Sequence, residues 1–295
     1  MRMFLLFILM MYLETSMPLA APIHDAAKTG DVAAITAALD AGADINAIDG
    51  GATPLYLASR RGYLAAAKVL IERGADVNAE TKFGPALLAA VEKSRIELIN
   101  LLLEKGANPN AIFDGTTVLH AAAKLTCLDC LKALVAAGAD VNALTRDMES
   151  PLHLARRLGT REMADYLVVH GVVPPRPPPI SAKLAAADAD KGRIVFNKAC
   201  SYCHFVEPEK GGKPGPNLWG IAGRDKASYA DFVYSDVLLD WEGVWTYEDL
   251  NTFLFAPRAT TPGVAMYFPG VPDEAERANL IAYLRTLSDK PLPLP

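Results

Sequence analysis

Cysteine and histidine are scarce in this sequence, which has four and five of them among 295 residues. Two of the cysteines nevertheless lie in one pentapeptide, Cys200 to His204, with the spacing C-x-x-C-H. A zinc site would need further Cys or His ligands nearby, and a thioredoxin-like dithiol would need a βαβ setting. The surrounding sequence provides neither. These absences favour the attachment motif of c-type haem, in which each thiol forms a thioether with a haem vinyl group.

The sequence also lacks a large excess of charge and a long apolar segment. Its formal net charge is -5, which argues against a nucleic-acid partner. The apolar run from Met3 to Leu13 is too short to span a bilayer. Because Arg2 precedes this run and a plausible cleavage region follows it, we predict a signal peptide over residues 1–21 and no transmembrane span in the mature chain. An uncleaved interfacial anchor is the alternative.

Methionine is scarce after the haem motif, where Met266 is the only one beyond Met163. Met266 lies in a loop punctuated by proline and glycine, residues 262–270. All other histidines lie upstream in a different segment, so His204 has no local second histidine. We therefore predict one haem iron with His204 and Met266 as axial ligands, a pair that stabilises ferrous iron and raises the reduction potential.

The segment from Asp188 to Asp289 resembles a class I cytochrome c of the mitochondrial and bacterial soluble type. Besides the haem motif, the resemblance rests on three stretches, residues 215–224, 232–235 and 280–284. It implies an all-α domain with one covalently attached haem c that carries single electrons. In the resembling family haem is attached outside the bacterial inner membrane, so we expect a periplasmic location.

The resemblance also implies roles for four residues around the haem. The carbonyl of Pro216 would support the axial histidine. Tyr234 and Trp245 would contact one haem propionate, and Arg224 would lie buried near a propionate. The sequence departs from the family at Phe253, Leu238 and Val264, which stand where polar side chains are usual. Each departure removes a hydrogen bond from a region where such bonds tune the metal.

The N-terminal half contains a repeat of about 32 residues. Its turn motif, Gly-Ala-Asp/Asn-x-Asn, recurs at residues 42–46, 74–78, 106–110 and 138–142. A second motif with the same phase resembles the ankyrin Thr-Pro-Leu-His start, as in residues 53–56, 117–120 and 150–153. We predict about five helix-turn-helix units with β-turns in an ankyrin solenoid over residues 22–171, because one unit alone cannot bury its apolar face.

Several Cys and His residues have a structural interpretation within this array. His24, His120 and His153 occupy the histidine position of the repeat and are expected to brace the turn before the helix. Cys127 and Cys130 form a second C-x-x-C that lacks a following histidine. Cys130 replaces a core aliphatic residue. In an oxidising compartment Cys127 and Cys130 can also form a disulfide.

The predicted turn tips of the array carry apolar side chains, namely Ile48, Phe83, Ile112, Phe113, Leu144 and Met148. Such exposed groups indicate an interaction surface for a protein redox partner; the alternative is that they fold back onto the array. A proline-rich linker over residues 172–182 is expected to adopt polyproline II. It separates the array from a cytochrome c domain over residues 183–295.

Together these features predict an electron-transfer protein and not an enzyme. It would be a periplasmic c-type cytochrome whose ankyrin array docks it to a redox partner. One alternative is a haem peroxidase or peroxide-defence component, although Met266 would block the open iron site that this chemistry needs. Another is a non-redox scaffold or a haem-based sensor.

Overall fold

The computed structural model describes residues 20–295, so the apolar run of the predicted signal peptide lies outside the described residues. In this range the regular secondary structure is helical apart from one two-stranded hairpin and two isolated bridges. None of the described helices is long and apolar enough to cross a membrane. The chain forms two compact units that divide between Ala107 and Asn108, and each is described separately.

The first compact unit consists of three helix pairs: α1 (Ala20–Thr29) with α2 (Val32–Asp40), α3 (Pro54–Arg61) with α4 (Leu64–Glu72), and α5 (Ala86–Glu92) with α6 (Ile96–Glu104). The sequence specifies these boundaries locally. The Thr53 side chain accepts from the Tyr56 N–H and caps α3, and Pro54 occupies its first turn. The apolar faces meet in a core that includes the fully buried Ile35, Leu70 and Leu102.

The second compact unit begins with two more helix pairs. A hairpin of β1 (Ile112–Phe113) and β2 (Thr116–Thr117) leads into α7 (Val118–Lys124) and α8 (Leu128–Ala136), followed by α9 (Pro151–Arg157) and α10 (Arg161–Val169). Cys127 caps α8 and forms a disulfide with the buried Cys130. Over the described chain this gives five helix pairs, as the repeat pattern predicts.

The asparagines of the turn motif join one turn to the next. Asn110 Nδ2 donates to the Gly138 carbonyl at 3.1 Å, and Asn110 Oδ1 accepts from the Asp140 N–H at 2.7 Å. Asn142 makes the equivalent bonds to Gly171 and Val173. One amide therefore satisfies both a backbone donor and a backbone acceptor of its neighbour, which explains why asparagine ends each motif.

The remainder of the second unit is a set of helices that follows the proline-rich stretch: α11 (Ser181–Leu184), α12 (Ala189–Ala199), α13 (Asp236–Leu239), α14 (Tyr247–Phe255), α15 (Pro257–Thr260) and α16 (Glu274–Thr286). Helices α12 and α16 make the most extensive helix contact among the described residues. Gly192 lies at their crossing, where an added Cβ would overlap the backbone of Asn279. Phe196 packs nearby against Tyr283 at 5.4 Å between ring centroids.

The proline-rich stretch is bound at both of its ends. Near its start, the Val173 N–H donates to Asn142 Oδ1 at 2.6 Å. Near its end, the Pro178 carbonyl accepts from Asn251 Nδ2 at 2.8 Å. The Glu248 carboxylate then accepts from the Ile180 and Ser181 amides and from the Ser181 hydroxyl. The stretch is thus held in place by side chains within this unit.

The predicted docking residues differ in their exposure. Ile48 and Ile112 are the most exposed, at 61% and 69%. Phe83 and Phe113 are less exposed, at 40% and 37%, and the Phe83 ring stacks on buried Tyr56 with the centroids 5.8 Å apart. Leu144 and Met148 are half-buried. The array therefore presents some of these side chains to solvent and folds others partly back.

Candidate haem-binding site

An apolar cavity of about 370 Å³ lies in the second compact unit. All eight residues predicted around the haem line it: Cys200, Cys203, His204, Pro216, Arg224, Tyr234, Trp245 and Met266. They come from positions that span 67 residues of sequence, and the fold brings every one of them to the same cavity. The departures Leu238 and Phe253 line it as well, so the wall is apolar where the resembling family is polar.

The haem motif forms a tight turn directly after α12. The Cys200 N–H donates to the Phe196 carbonyl at 2.8 Å, and the Cys203 and His204 amides both donate to the Cys200 carbonyl at 3.0 Å. This turn directs two thiols and one imidazole into the cavity. Burial, with a contribution from nearby Cys203, raises the pKa of the Cys200 thiol to about 12.

The orientation of His204 follows from a single hydrogen bond. Its Nδ1 lies 2.7 Å from the Pro216 carbonyl oxygen. Because a carbonyl can only accept, Nδ1 carries the proton and Nε2 keeps its lone pair for a metal. Burial lowers the pKa of His204, although the bond to Pro216 opposes this shift. The side chain is therefore a neutral imidazole with the correct tautomer for an axial ligand.

The loop that supplies Pro216 is held by two residues. Asn217 is 2% exposed; its Nδ2 donates to the Glu207 and Lys210 carbonyls, and its Oδ1 accepts from the Trp219 N–H. Arg224 donates from Nη2 to the Asn217 carbonyl and from Nη1 to the Trp219 carbonyl, both at 2.9 Å. Asn217 was not among the predicted residues. An asparagine directly after the proline of a glycine-rich loop is the signal that could have identified it.

Trp245 is positioned by backbone pairing opposite Arg224. The Trp245 N–H donates to the Arg224 carbonyl, and the Gly223 N–H donates to the Trp245 carbonyl, each at 2.9 Å. The Trp245 ring then packs edge-on against Phe253, with centroids 5.2 Å apart. One wall of the cavity is therefore fixed by a short antiparallel bridge and an aromatic contact.

The residues present fit a haem. Two buried polar atoms in cavity-lining residues, Arg224 Nε and Ser235 Oγ, have no hydrogen-bond partner within the described chain. Buried polar atoms are normally paired, and a propionate carboxylate would supply acceptors to both. The rest of the lining is apolar, as a porphyrin face requires. Met266 is half-buried at this cavity, in the loop between α15 and α16.

Comparison with known families agrees with both halves of the chain. The family described as ankyrin repeats (3 copies) matches residues 19–81 and 86–177, and the family described as cytochrome c matches residues 189–288. The chain is an ankyrin-repeat protein with a cytochrome c domain. The covalent haem c that the pentapeptide predicts is therefore the cofactor of this domain. Over the described residues the fold is all-α apart from its short hairpin and bridges, as predicted.

Individual relatives match the cytochrome c domain. A cytochrome c homolog from Bradyrhizobium diazoefficiens is 40% identical over 118 residues, which cover 40% of this chain and 64% of the relative. A cytochrome c-type cyt cy from Rhodobacter capsulatus is 40% identical over 114 residues, 39% of this chain and 56% of the relative. A cytochrome c from Guizotia abyssinica is 38% identical over 104 residues, 35% of this chain and 94% of the relative. The chain thus spans 64% and 56% of the length of the first two relatives.

Proposed function

We propose that this protein is a periplasmic single-electron carrier whose ankyrin array docks it to a protein redox partner. The observation that carries the proposal is the convergence of four side chains on one apolar cavity: Cys200, Cys203, His204 and Met266. Cys200 and Cys203 would hold the cofactor covalently, and His204 and Met266 would supply its two iron ligands. When bound, the haem supplies one-electron redox chemistry.

The protein residues around the haem act by orientation and by exclusion of water. Pro216 keeps the His204 proton on Nδ1, so that Nε2 remains a metal ligand. Arg224 Nε and Ser235 Oγ would donate hydrogen bonds to the propionates, and the guanidinium charge of Arg224 would offset the charge of one carboxylate. Leu238, Phe253 and Trp245 keep water from the haem face. A low-dielectric site whose ligands are already in position changes little between two oxidation states, which suits a carrier.

Three observations support an exported location. The N-terminal apolar run has the length of a signal peptide. The chain is similar to bacterial cytochrome c homologues. The third observation is the disulfide between Cys127 and Cys130, since disulfides persist mainly in oxidising compartments such as the bacterial periplasm.

The array supplies the docking function. Ankyrin repeats form extended protein-binding surfaces, and Ile112 and Phe113 are exposed on the hairpin between two repeat units. Docking through the array raises the effective concentration of the haem near its partner without new contacts at the haem edge. This matters because Arg258, one of few cations in the Met266 loop region, is buried in an ion pair and cannot serve as a docking charge.

A comparison of ligand binding with redox cycling tests the electron-carrier proposal. We expect the full-length ferrous protein to bind carbon monoxide slowly and the ferric protein to react slowly with hydrogen peroxide, because ligation by His204 and Met266 would leave no open position on the iron. We also expect reversible one-electron oxidation and reduction in a potentiometric titration. Rapid carbon monoxide or peroxide binding to the resting protein would instead favour the peroxidase or sensor alternatives.

A further inference from the structure

The last repeat unit has a different neighbour from the units before it. In the fourth unit, His120 Nε2 lies 3.0 Å from the Glu149 carbonyl oxygen, in the turn that leads into the next unit. The first unit shows the same pattern, with His24 Nε2 2.9 Å from the Ala47 carbonyl oxygen. The fifth unit carries the equivalent histidine, His153, but no sixth unit follows it in the described chain.

A loop of the cytochrome c domain contacts this histidine instead, and it does so at the other ring nitrogen, Nδ1. His153 is fully buried, and its Nδ1 accepts from the Gly263 N–H at 3.2 Å. Arg156, three residues later on α9, donates from Nη1 to the Pro262 carbonyl at 3.1 Å. These contacts fix the backbone three and four residues before Met266.

Gly263 shows how closely this loop approaches the repeat. Its φ of +101° lies in the region that favours glycine. A Cβ at this position would lie 3.1 Å from the Arg156 Cβ and 3.3 Å from its Cδ. The loop therefore needs glycine both for its backbone conformation and for its contact with α9.

A buried ion pair joins the same two parts of the chain. Arg258 is 2% exposed, and its Nη1 donates to Glu149 Oε1 at 2.7 Å. The Arg258 guanidinium also lies 4.6 Å from the ring centroid of Tyr267, the residue after Met266. Removal of one partner of a buried pair leaves an uncompensated charge, which is strongly unfavourable. The pair therefore ties α15 and the far side of the Met266 loop to the turn before α9.

We propose that the fifth ankyrin unit positions the Met266 loop and thereby keeps the Met266 thioether on the haem iron. The inference rests on the proposed ligation by Met266. Glu149, His153 and Arg156 are positioning residues, since none of them lines the haem cavity. Release of methionine requires the loop to open locally. Each contact with the array lowers the population of the open loop, so the array takes part in the metal chemistry as well as in docking.

Cyanide binding to the full-length ferric holoprotein tests this role, because cyanide reaches the iron only after Met266 has left it. Arg156→Ala removes the donor to Pro262, and Arg156→Lys restores a donor. Arg157→Ala is the matched control, since Arg157 is the next residue of α9, is also exposed and donates no hydrogen bond to the loop in the described structure. Glu149→Gln is a second variant, which leaves Arg258 without its counter-ion at nearly constant side-chain size.

We expect Arg156→Ala and Glu149→Gln to bind cyanide roughly tenfold faster or more, the effect of losing a hydrogen bond to a charged group. Their sulfur-to-iron absorption band should be present at neutral pH but be lost at a lower alkaline pH than in the unaltered protein. Arg156→Lys should recover most of the difference, and Arg157→Ala should match the unaltered protein. Far-UV circular dichroism checks that the array remains folded. If Arg156→Ala loses helicity, the rate of cyanide binding to Glu149→Gln tests the inference instead.

Two results would overturn the inference, and they are distinguishable. Cyanide rates equal to those of the unaltered protein in Arg156→Ala and Glu149→Gln, with the absorption band intact, would remove the positioning role and leave Met266 as the ligand. Absence of the band from the unaltered protein would remove both the ligation by Met266 and the role of the array in it.

Discussion

The orientation of His204 depends on one loop, and that loop packs tightly against the imidazole ring. Gly215 packs directly beneath the imidazole, where an added Cβ would overlap the ring. The carbonyl of the neighbouring Pro216 accepts a hydrogen bond from the His204 Nδ1–H. The tautomer and the position of His204, the proposed iron ligand, are therefore set by two adjacent residues, Gly215 and Pro216.

Gly215→Ala should displace the His204 ring and break its bond to Pro216. We expect the holoprotein to lose on the order of 1–3 kcal/mol of stability, as for other overpacked sites, with a shifted haem absorption spectrum. Gly211→Ala is the control, because a Cβ at Gly211 meets nothing within 4 Å. Thermal unfolding followed at the haem absorption checks this, and equal effects of the two substitutions would contradict the tight packing at Gly215.

His153 makes stability depend on pH. Burial lowers its pKa to about 4; Glu149 opposes this shift, while Arg258 and Arg157 add to it. Since the unfolded value is about 6.5, the unfolded chain binds more protons between these two pH values. The free energy of unfolding should therefore fall as the pH drops from about 6.5 to about 4. Protonation at Nδ1 would also remove the acceptor for the Gly263 N–H.

His153→Gln should make this pH dependence shallower, as measured by urea unfolding of the full-length protein at several pH values. Buried His120 contributes in the same direction, because burial also lowers its pKa, so part of the slope should remain. An unchanged slope in His153→Gln would show that His153 does not titrate in this range.

At the residue scale, the sequence predicts a functional group when its members lie close together in the chain. Cys200, Cys203 and His204 are adjacent, so their chemistry is readable without a structure. The contact of His153 with the Met266 loop cannot be predicted in this way. Its position in the repeat predicts a turn brace, but its partner Gly263 lies 110 residues further along the chain, and no periodicity links the two.

Among the helices, α12 and α16 cross and form the main packing contact of the cytochrome c domain. Gly192 lets the two backbones approach, and the buried Leu280 and Ile281 fill the contact from α16. Arg277, also in α16, donates to Asn251 Oδ1 on α14 and to the Val271 carbonyl. The end of the Met266 loop is therefore attached to the same helix that packs behind the haem motif.

Gly192→Ala should separate these helices, because the new Cβ would meet backbone atoms of Asn279 that cannot move independently. We expect a destabilisation of about 2 kcal/mol or more. Ile194→Ala, on the same helix but 67% exposed, should stay within about 0.5 kcal/mol. Urea unfolding of the holoprotein provides the measurement. A tolerated Gly192→Ala would mean that the helices can cross at a greater separation.

At the element scale, the repeat units were predictable because each has its own capping and turn signals, such as Thr117 before α7 and Gly138 after α8. The short α13 and α15 were not predicted, since a four-residue helix has too few residues to show a period. The contact between α15 and the turn before α9 was also missed. It depends on Arg258 and Glu149, which lie 109 residues apart.

For the molecule as a whole, the docking proposal requires the array to bind a partner. Ile112 and Phe113 are the exposed apolar residues that the hairpin presents within the second compact unit. Their simultaneous change to Ser should slow oxidation of the reduced protein by native bacterial membranes roughly tenfold or more, the scale of a lost hot spot. The haem spectrum should remain unchanged.

Val169→Ser is the control for this docking prediction, because Val169 is 81% exposed but belongs to the end of α10 and not to the hairpin. It should leave the rate of oxidation unchanged. An equal rate in all three proteins, with helicity intact, would show that the hairpin is not a docking surface. The sequence placed these side chains at turn tips, but only the fold distinguishes exposed Ile112 from half-buried Leu144 and Met148.

The absorption spectrum of the ferric full-length protein, compared with that of Met266→Ala, tests the electron-carrier function most directly. Ligation by His204 and Met266 predicts a six-coordinate, low-spin haem with a sulfur-to-iron band at the red end of the spectrum. That band should disappear in Met266→Ala, while the covalent haem stays attached through Cys200 and Cys203. A band that is absent from the unaltered protein, or that survives the substitution, would contradict the proposed ligation and with it the closed-site electron carrier.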